Sequence, residues 1–277
     1  MKRLAVLGHP VSHSRSPAMQ NAALRELGLG GEWSYEAIDV EPAEFGDRTR
    51  RLPGDDFVGV NVTIPHKEAG LAVADEASEE AERIGAANTL SFRDGRIRAD
   101  NTDAPGLIAS LPGSAEGRPA LVMGAGGSAR AAVWALAGQG ALVSIWNRTP
   151  ERADELVRDL ATAGAGTTAE GRLRAVTAEQ ARANGYELIV NCTAIGMQDE
   201  DPFELLPLVP ERLTLGVVVV DLVYSGSESR LVREARERKA TAVEGLEVLV
   251  QQGAESLRIW TGMDPPLEVM RQAARGA

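Results

Sequence analysis

The sequence predicts an α/β protein of two domains, one of them a doubly wound parallel sheet, with a cleft between them. Three observations predict it. At 277 residues the chain is long for a single core. Apolar runs of strand length alternate with helix-length segments almost from end to end. Near Thr102 the pattern starts again, and a glycine-rich turn, Gly124-Ala125-Gly126-Gly127-Ser128-Ala129, then stands between a strand and an alanine-rich helix.

In chain order, Leu4 to Leu7 reads as a buried strand. Ser16-Pro17 opens a helix, with Ser16 as N-cap and Pro17 at the first helical position, and Gly28 stops it. Trp33 to Val40 and Phe57 to Ile64 are strands, and Pro65 begins the helix after the second. Residues 87–100 form a hairpin about Asp94-Gly95. Asp103-Ala104-Pro105 opens the next helix. Ala120 to Met123 is a strand, 128–139 a helix, Ala141 to Trp146 a strand and Glu151 to Ala163 a helix. Further strands fall near 172–176, 187–192 and 217–222, and residues 161–174 read as loop and strand edge. This βαβ rhythm implies a parallel sheet. A long helix from Leu246 to Trp260 and a short one after Pro265-Pro266 close the chain.

Composition excludes several classes of function. Hydrophobic residues make up 44% and charged residues 25%, as in a soluble globular protein. The net charge of -11 argues against nucleic acid as a partner, because phosphate binding needs a basic face. The one cysteine, Cys192, leaves no internal disulfide. No apolar run reaches the roughly 18 residues of a membrane span, and the short run after Met1 is no signal peptide, so the cytoplasm is the expected compartment. His9, His13 and His66 lack the spacing of metal ligands, and no metal is expected.

The glycine turn has the context a phosphate cradle needs. Gly124 permits the tight turn, Gly126 lets backbone approach a pyrophosphate, and Ala129 allows close helix packing, with Ala125, Gly127 and Ser128 completing the loop. A carboxylate about 20 residues further on would bind the ribose hydroxyl of NAD. Instead Asn147-Arg148-Thr149 stands 23 residues after Gly124 (147 minus 124), with Arg152 one turn later. A guanidinium there suits a 2′-phosphate, so the expected cofactor is NADP.

Asn61-Val62-Thr63-Ile64-Pro65-His66-Lys67 places polar groups at the end of an apolar strand. Asn61 and Thr63 share one face by the period of two and suit a polyhydroxylated ligand. A lysine in the first turn of a helix opposes the dipole, so helix stability does not explain Lys67, and acid–base chemistry does. Ser12, Ser14 and Ser16 run into a helix N-terminus, a natural carboxylate site. Asn88-Thr89, Asn101-Thr102-Asp103 and Gln251-Gln252 are further polar clusters.

Together these residues resemble the shikimate dehydrogenase family over nearly the full length. The matching segments are Gly8-His9-Pro10 with Ser14-Arg15-Ser16, Asn61 to Lys67, Gly85 to Thr89, Asp100 to Asp103 and Gly124 to Ala129. Asn147-Arg148-Thr149, Asn191 to Met197, Asp221 to Tyr224, Leu249 to Gln252 and Trp260-Thr261-Gly262 complete the set. The resemblance implies reversible NADPH-dependent reduction of 3-dehydroshikimate to shikimate on the route to aromatic amino acids. It implies a substrate domain (1–103), a Rossmann-type NADP domain (104–242) and C-terminal helices packing back on the substrate domain (243–277). Lys67 and Asp103 would be the catalytic pair. Ser14 and Ser16 would bind the substrate carboxylate, and Thr63, Asn88, Asp103 and Gln252 its hydroxyls, with Asn61 and Tyr224 nearby. Thr193, Leu222 and Gly245 would join the cofactor side. The partner would be the small-molecule substrate, bound by a monomer or homodimer. Three places depart from the family's pattern: Glu244 stands where Asp is usual, Glu247-Val248 where Gly-Met is, and Gly226 where proline is. A quinate-using dehydrogenase and a catalytically weak NADP- or shikimate-binding relative are the alternatives, and Ser16 favours shikimate.

Overall fold

A computed structural model describes residues 1–165, 172–198, 200–224 and 228–277. In chain order the elements are β1 (Lys2–Gly8), α1 (Ser16–Glu26), β2 (Trp33–Asp39), α2 (Phe45–Arg51), β3 (Phe57–Val62), α3 (Lys67–Ala72), β4 (Glu76–Ala77), α4 (Glu79–Ile84), β5 (Thr89–Arg93), β6 (Arg96–Asp100) and α5 (Asp103–Ser110). Then follow β7 (Pro119–Met123), α6 (Gly127–Gly138), β8 (Leu142–Trp146), α7 (Pro150–Thr162), β9 (Leu173–Ala175), α8 (Ala178–Ala183), β10 (Leu188–Asn191), α9 (Pro202–Leu205), β11 (Val218–Asp221), α10 (Arg230–Glu237), β12 (Thr241–Glu244), α11 (Gly245–Thr261) and α12 (Leu267–Gly276). They form two compact units, Met1–Gly106 with Leu249–Ala277, and Leu107–Val248. Gly226 lies outside the described residues, as does the middle of the 161–174 stretch.

The first unit holds a mixed sheet in the order β2-β1-β3-β5-β6-β4. Central β1 is buried on both faces from Leu4 to Leu7, as its unbroken apolar run requires. β1 runs parallel to β2 and β3, while β5 is antiparallel to β3 and β6. Leu7 faces Val62, Asn61 faces Thr89, and Thr89 faces Asp100. The ends of β1, β3 and β6 and the start of β5 therefore lie at one end of the sheet. The Asp94-Gly95 turn has positive φ at both residues (52° and 74°), the hairpin geometry those residue types favour. Helix α12 packs on α1. Trp260 of α11 donates its indole N–H to the Leu90 carbonyl at 3.1 Å.

Two helix starts differ from the sequence expectation. Ser16 is the first residue of α1 and Arg15 holds the cap position without a side-chain cap bond; Ser14 Oγ accepts the Ser16 N–H at 3.3 Å. Pro65 does not begin α3. The chain first closes a turn, His66 N–H to Thr63 O at 2.8 Å, and the helix starts at Lys67.

The second unit is a six-stranded sheet, β12-β11-β10-β7-β8-β9, parallel throughout. Counted from β7 this is the strand order of a doubly wound dinucleotide fold, and the order reverses between β7 and β10. Leu121, Ile189, Val219 and Leu231 lie in its core. Thr149 and Pro150 open α7, and a reciprocal pair of Thr177 and Gln180 bonds opens α8. Among the described residues no helix is long and apolar enough to cross a membrane.

Candidate active site

The pair Lys67 and Asp103 meets at the end of the first sheet. Lys67 Nζ donates to Asp103 Oδ2 at 2.6 Å, with 12% and 15% of the two side chains exposed. Local structure places each. His66, the cap of α3, is buried, stacks on Phe45 with centroids 4.5 Å apart, and bonds the Val40 carbonyl through Nε2 at 2.7 Å. Burial pushes its imidazole below the usual value, so it is neutral and Nε2–H donates. It adds no like charge beside Lys67. Asp103 starts α5, where the helix dipole favours a carboxylate, and Asn101 Oδ1 accepts the N–H groups of Asp103 and Ala104.

Asn88 joins the pair, and its orientation follows from fixed partners. Its Oδ1 accepts the backbone N–H of Thr102 at 2.7 Å, so its nitrogen faces the other way. That nitrogen lies 2.9 Å from Asp103 Oδ1, 2.9 Å from Thr102 Oγ1 and 3.0 Å from Gln252 Oε1. Gln252 is fixed in turn because its Nε2 donates to the Leu249 carbonyl. Two amide protons are thus shared among three acceptors. The cluster has acceptor capacity to spare, which suits a ligand bearing hydroxyl donors.

Other predicted residues sit differently. Asn61 is 6% exposed, and its amide is engaged at both ends, by Tyr35 OH on the oxygen and by the Asn88 carbonyl and Ser256 Oγ on the nitrogen. It lies behind Asn88. Thr63 is half-buried in the turn after β3, and its N–H donates to the Leu7 carbonyl. Ser14 and buried Ser16 stand at the start of α1, on the segment that leaves β1 at the same sheet end. Tyr35 and Ser256 escaped the sequence reading. Ser256 is one helical turn beyond Gln252, and that spacing was the available signal.

In the second unit, the loops after β7, β8, β10 and β11 are knitted together by backbone. Gly124 N–H donates to Trp146 O, Cys192 N–H to Met123 O and Leu222 N–H to Asn191 O, at 2.8 to 3.0 Å. Gly124 has φ +118°, and a Cβ there would meet the Cys192 carbonyl at 3.2 Å. A Cβ on Gly126 would meet nothing within 4 Å, while Ala129 is fully packed. The turn is therefore tight inside and open outside, and α6 aims its N-terminus outward as a phosphate cradle requires. Arg148, just after β8, and Arg152, in the first turn of α7, are exposed, and neither has an ion pair among the described residues. Asn147 braces the turn by donating to the Thr149 carbonyl at 2.9 Å. These residues fit a dinucleotide carrying an extra phosphate. Thr193 is held by Asn191, Leu222 and Tyr224 are half-buried, and a Cβ on Gly245 would strike the Leu222 carbonyl at 2.7 Å, so only glycine fits there. Of the positions that depart from the family pattern, Glu244 pairs with Arg236 at 2.5 Å, Glu247 is half-buried and Val248 is buried.

Asp221 is a buried carboxylate that holds two of these loops. It accepts from Asn191 Nδ2 (2.9 Å), the Val223 N–H (3.2 Å) and Ser229 Oγ (2.7 Å). Desolvation raises its pKa, against the lowering by those donors. A carboxyl whose folded pKa lies above its unfolded value costs stability when ionised, and the cost fades as pH falls through the folded value toward the unfolded one. Asp221→Asn is therefore expected to be at least as stable as the parent at neutral pH, with the advantage vanishing near pH ~4. Thermal melts across that range check this; a loss of stability equal at every pH would refute it.

The chain is similar to known proteins along its length. Residues 6–90 match the model of the shikimate dehydrogenase substrate binding domain, and residues 245–275 that of the shikimate 5'-dehydrogenase C-terminal domain. A shikimate dehydrogenase (NADP(+)) from Thermus thermophilus is 45% identical, covering 100% of this chain and 99% of that one. One from Methanothermobacter thermautotrophicus is 41% identical over 98% of this chain and 94% of its own length. The crystal structure of shikimate 5-dehydrogenase from Thermus thermophilus in complex with NADP(H) and shikimate superposes with a TM-score of 0.85 at 42% identity, covering 100% and 99% of the two chains. The Aquifex aeolicus shikimate dehydrogenase gives a TM-score of 0.88 at 33% identity, over 99% and 98%. With identity of this level along its whole length, the chain belongs to the shikimate dehydrogenase family.

Proposed function

We propose that this chain reduces 3-dehydroshikimate to shikimate with NADPH, reversibly, on the biosynthetic route to aromatic amino acids. The observation that carries the reading is the Lys67–Asp103–Asn88–Gln252 cluster, where spare acceptors meet an ammonium held at 2.6 Å from a carboxylate. The bound dinucleotide supplies hydride. Lys67 donates the proton that the 3-oxygen needs as negative charge grows on it. Asp103 holds the 3-oxygen and the Lys67 ammonium in one hydrogen-bonded group. Asn88, Gln252 and Thr63 take the ring hydroxyls, and Ser14 and Ser16 take the carboxylate at the α1 N-terminus. Asn61 supports Asn88, and Tyr224 contributes to substrate contact. Gly124 to Ala129, Asn147, Arg148, Thr149, Arg152, Thr193, Leu222 and Gly245 hold the NADP. The substrate residues other than Tyr224 belong to the first unit, Tyr224 and the NADP residues to the second, and the net charge of -11 supports a small-molecule partner over nucleic acid. The enzyme acts in the cytoplasm, as a monomer or homodimer.

The test is a spectrophotometric assay of shikimate and quinate, each with NADP and NAD. Shikimate with NADP is expected to be the best pair by a wide margin. Turnover of quinate above that of shikimate, or none with either, would overturn the reading. The 2′-phosphate contact has its own test. Arg148→Ala is expected to weaken NADP by roughly 1.5–3 kcal/mol, about 10- to 100-fold in Kd, and to leave NAD unchanged. Titration calorimetry with both dinucleotides measures it, and an equal loss for the two would remove Arg148 from this role.

A further inference from the structure

Behind the Lys67–Asp103 pair lies a second, fully buried layer of polar groups. Ser256, on α11 and 0% exposed, is its hub. Its Oγ lies 2.9 Å from Asn61 Nδ2, 2.8 Å from Thr89 Oγ1, 3.0 Å from Thr102 Oγ1 and 3.0 Å from the Gln252 carbonyl. The directions of the Asn61 bonds are set by groups that can act in only one sense. The Asn88 carbonyl only accepts, so the Asn61 nitrogen faces it at 3.0 Å. The Asn61 oxygen then faces Tyr35, and the phenol must donate to it at 2.7 Å. The second amide proton of Asn61 points at Ser256 Oγ, the oxygen that Thr89 and Thr102 also approach. Thr102 is the residue whose backbone N–H and hydroxyl fix Asn88 Oδ1, at 2.7 and 3.1 Å. A continuous path of hydrogen bonds thus runs from Tyr35 through Asn61, Ser256 and Thr102 to Asn88, and from Asn88 to Asp103.

We infer that Tyr35 and Ser256 are positioning residues for the reduction, holding Asn88 so that Asp103 presents one oxygen to the amide and the other to Lys67. Neither touches substrate. The inference rests on the proposed roles of Lys67 and Asp103. The physical ground is the tolerance of each step. Hydroxyl binding survives small displacements, because the ligand can follow its partners. Proton transfer does not, since its rate depends on alignment of donor and acceptor. Removing one oxygen from a buried, fully engaged chain leaves its neighbour unpaired and lets the amides turn.

The test uses Tyr35→Phe, Ser256→Ala and the double variant, each of which removes only hydroxyl oxygen and leaves the packing of Tyr35 on Trp260 in place. Each single variant is expected to lower kcat by about tenfold, the equivalent of one buried hydrogen bond, with KM for shikimate changed by less than about twofold. The deuterium isotope effect measured with deuterated NADPH is expected to rise, because misalignment slows the chemical step itself. The double variant is expected to be little slower than either single one, since both act along one path. A lowered melting temperature with kcat and the isotope effect unchanged would show structural support alone and overturn the inference. So would a double variant whose losses simply multiply. Lys67→Met is run beside them. If it is slow while Tyr35→Phe and Ser256→Ala are normal, only the positioning role falls; if Lys67→Met is itself normal, the reading beneath it falls too.

Discussion

Lys67→Met is expected to lower turnover at least about 10²-fold while shikimate still binds. General acid–base catalysis contributes on the order of 10²- to 10⁴-fold, and methionine keeps the length and apolar stem of lysine without the proton. The ammonium is aimed by α3, whose first residue it is, and by neutral His66 behind it. On the proposed reading its removal leaves Asn88, Gln252, Thr63 and the two serines to hold the ligand. Steady-state kinetics together with direct titration of shikimate separate the two effects. Near-normal turnover would make the lysine a binding group only and would refute the mechanism.

Asp103→Asn should cost turnover and binding together, by roughly 10²- to 10³-fold in kcat/KM. Both carboxylate oxygens are used, one by Lys67 and the other by Asn88. An amide has one acceptor, so whichever way it turns, one contact becomes donor against donor. Bonds to charged groups are worth about 1.5–3 kcal/mol, and losing one while weakening the other accounts for that range. The measurement is kcat and KM for the variant beside its melting temperature. A rise in KM alone, with kcat intact, would show that Asp103 only anchors substrate.

Much of the site was legible because its residues follow local rules. Lys67 was conspicuous as a cation in a first turn, Asp103 as an acid at a helix start, and the glycine turn by its strand and helix neighbours. Asn61 shows where such rules stop. Period two gives the face of a strand but not the depth of a side chain, and the structure buries Asn61 behind Asn88. The contacts of Tyr35 and Ser256 were not legible, since Tyr35 meets Asn61 across 26 residues and Ser256 meets it across 195, and the spacing of Ser256 from Gln252 marks only a shared helix face. The short elements were also lost. β4, α4, α8, α9, α10 and β12 are two to eight residues long, too short for a periodic signal, although Ser78, Thr177 and Ser229 were visible caps. The start of α3 was misplaced because Pro65 fixes its own φ without requiring that a helix begin there.

The first unit is discontinuous, and this governs the order in which a ribosome can finish it. Its two stretches are separated by 142 residues (248 minus 107 plus one). Lys67, Asn88 and Asp103 are translated early, but Gln252, Ser256 and Trp260 arrive more than a hundred residues later. Until then the Leu90 carbonyl lacks its indole partner and Asn61 its serine. The parallel sheet of the second unit, by contrast, has all six strands once Glu244 has emerged. Synthesis therefore completes the later-starting unit first, and a nascent chain arrested before residue 249 carries Lys67 and Asp103 without Gln252, the amide that completes the acceptor cluster.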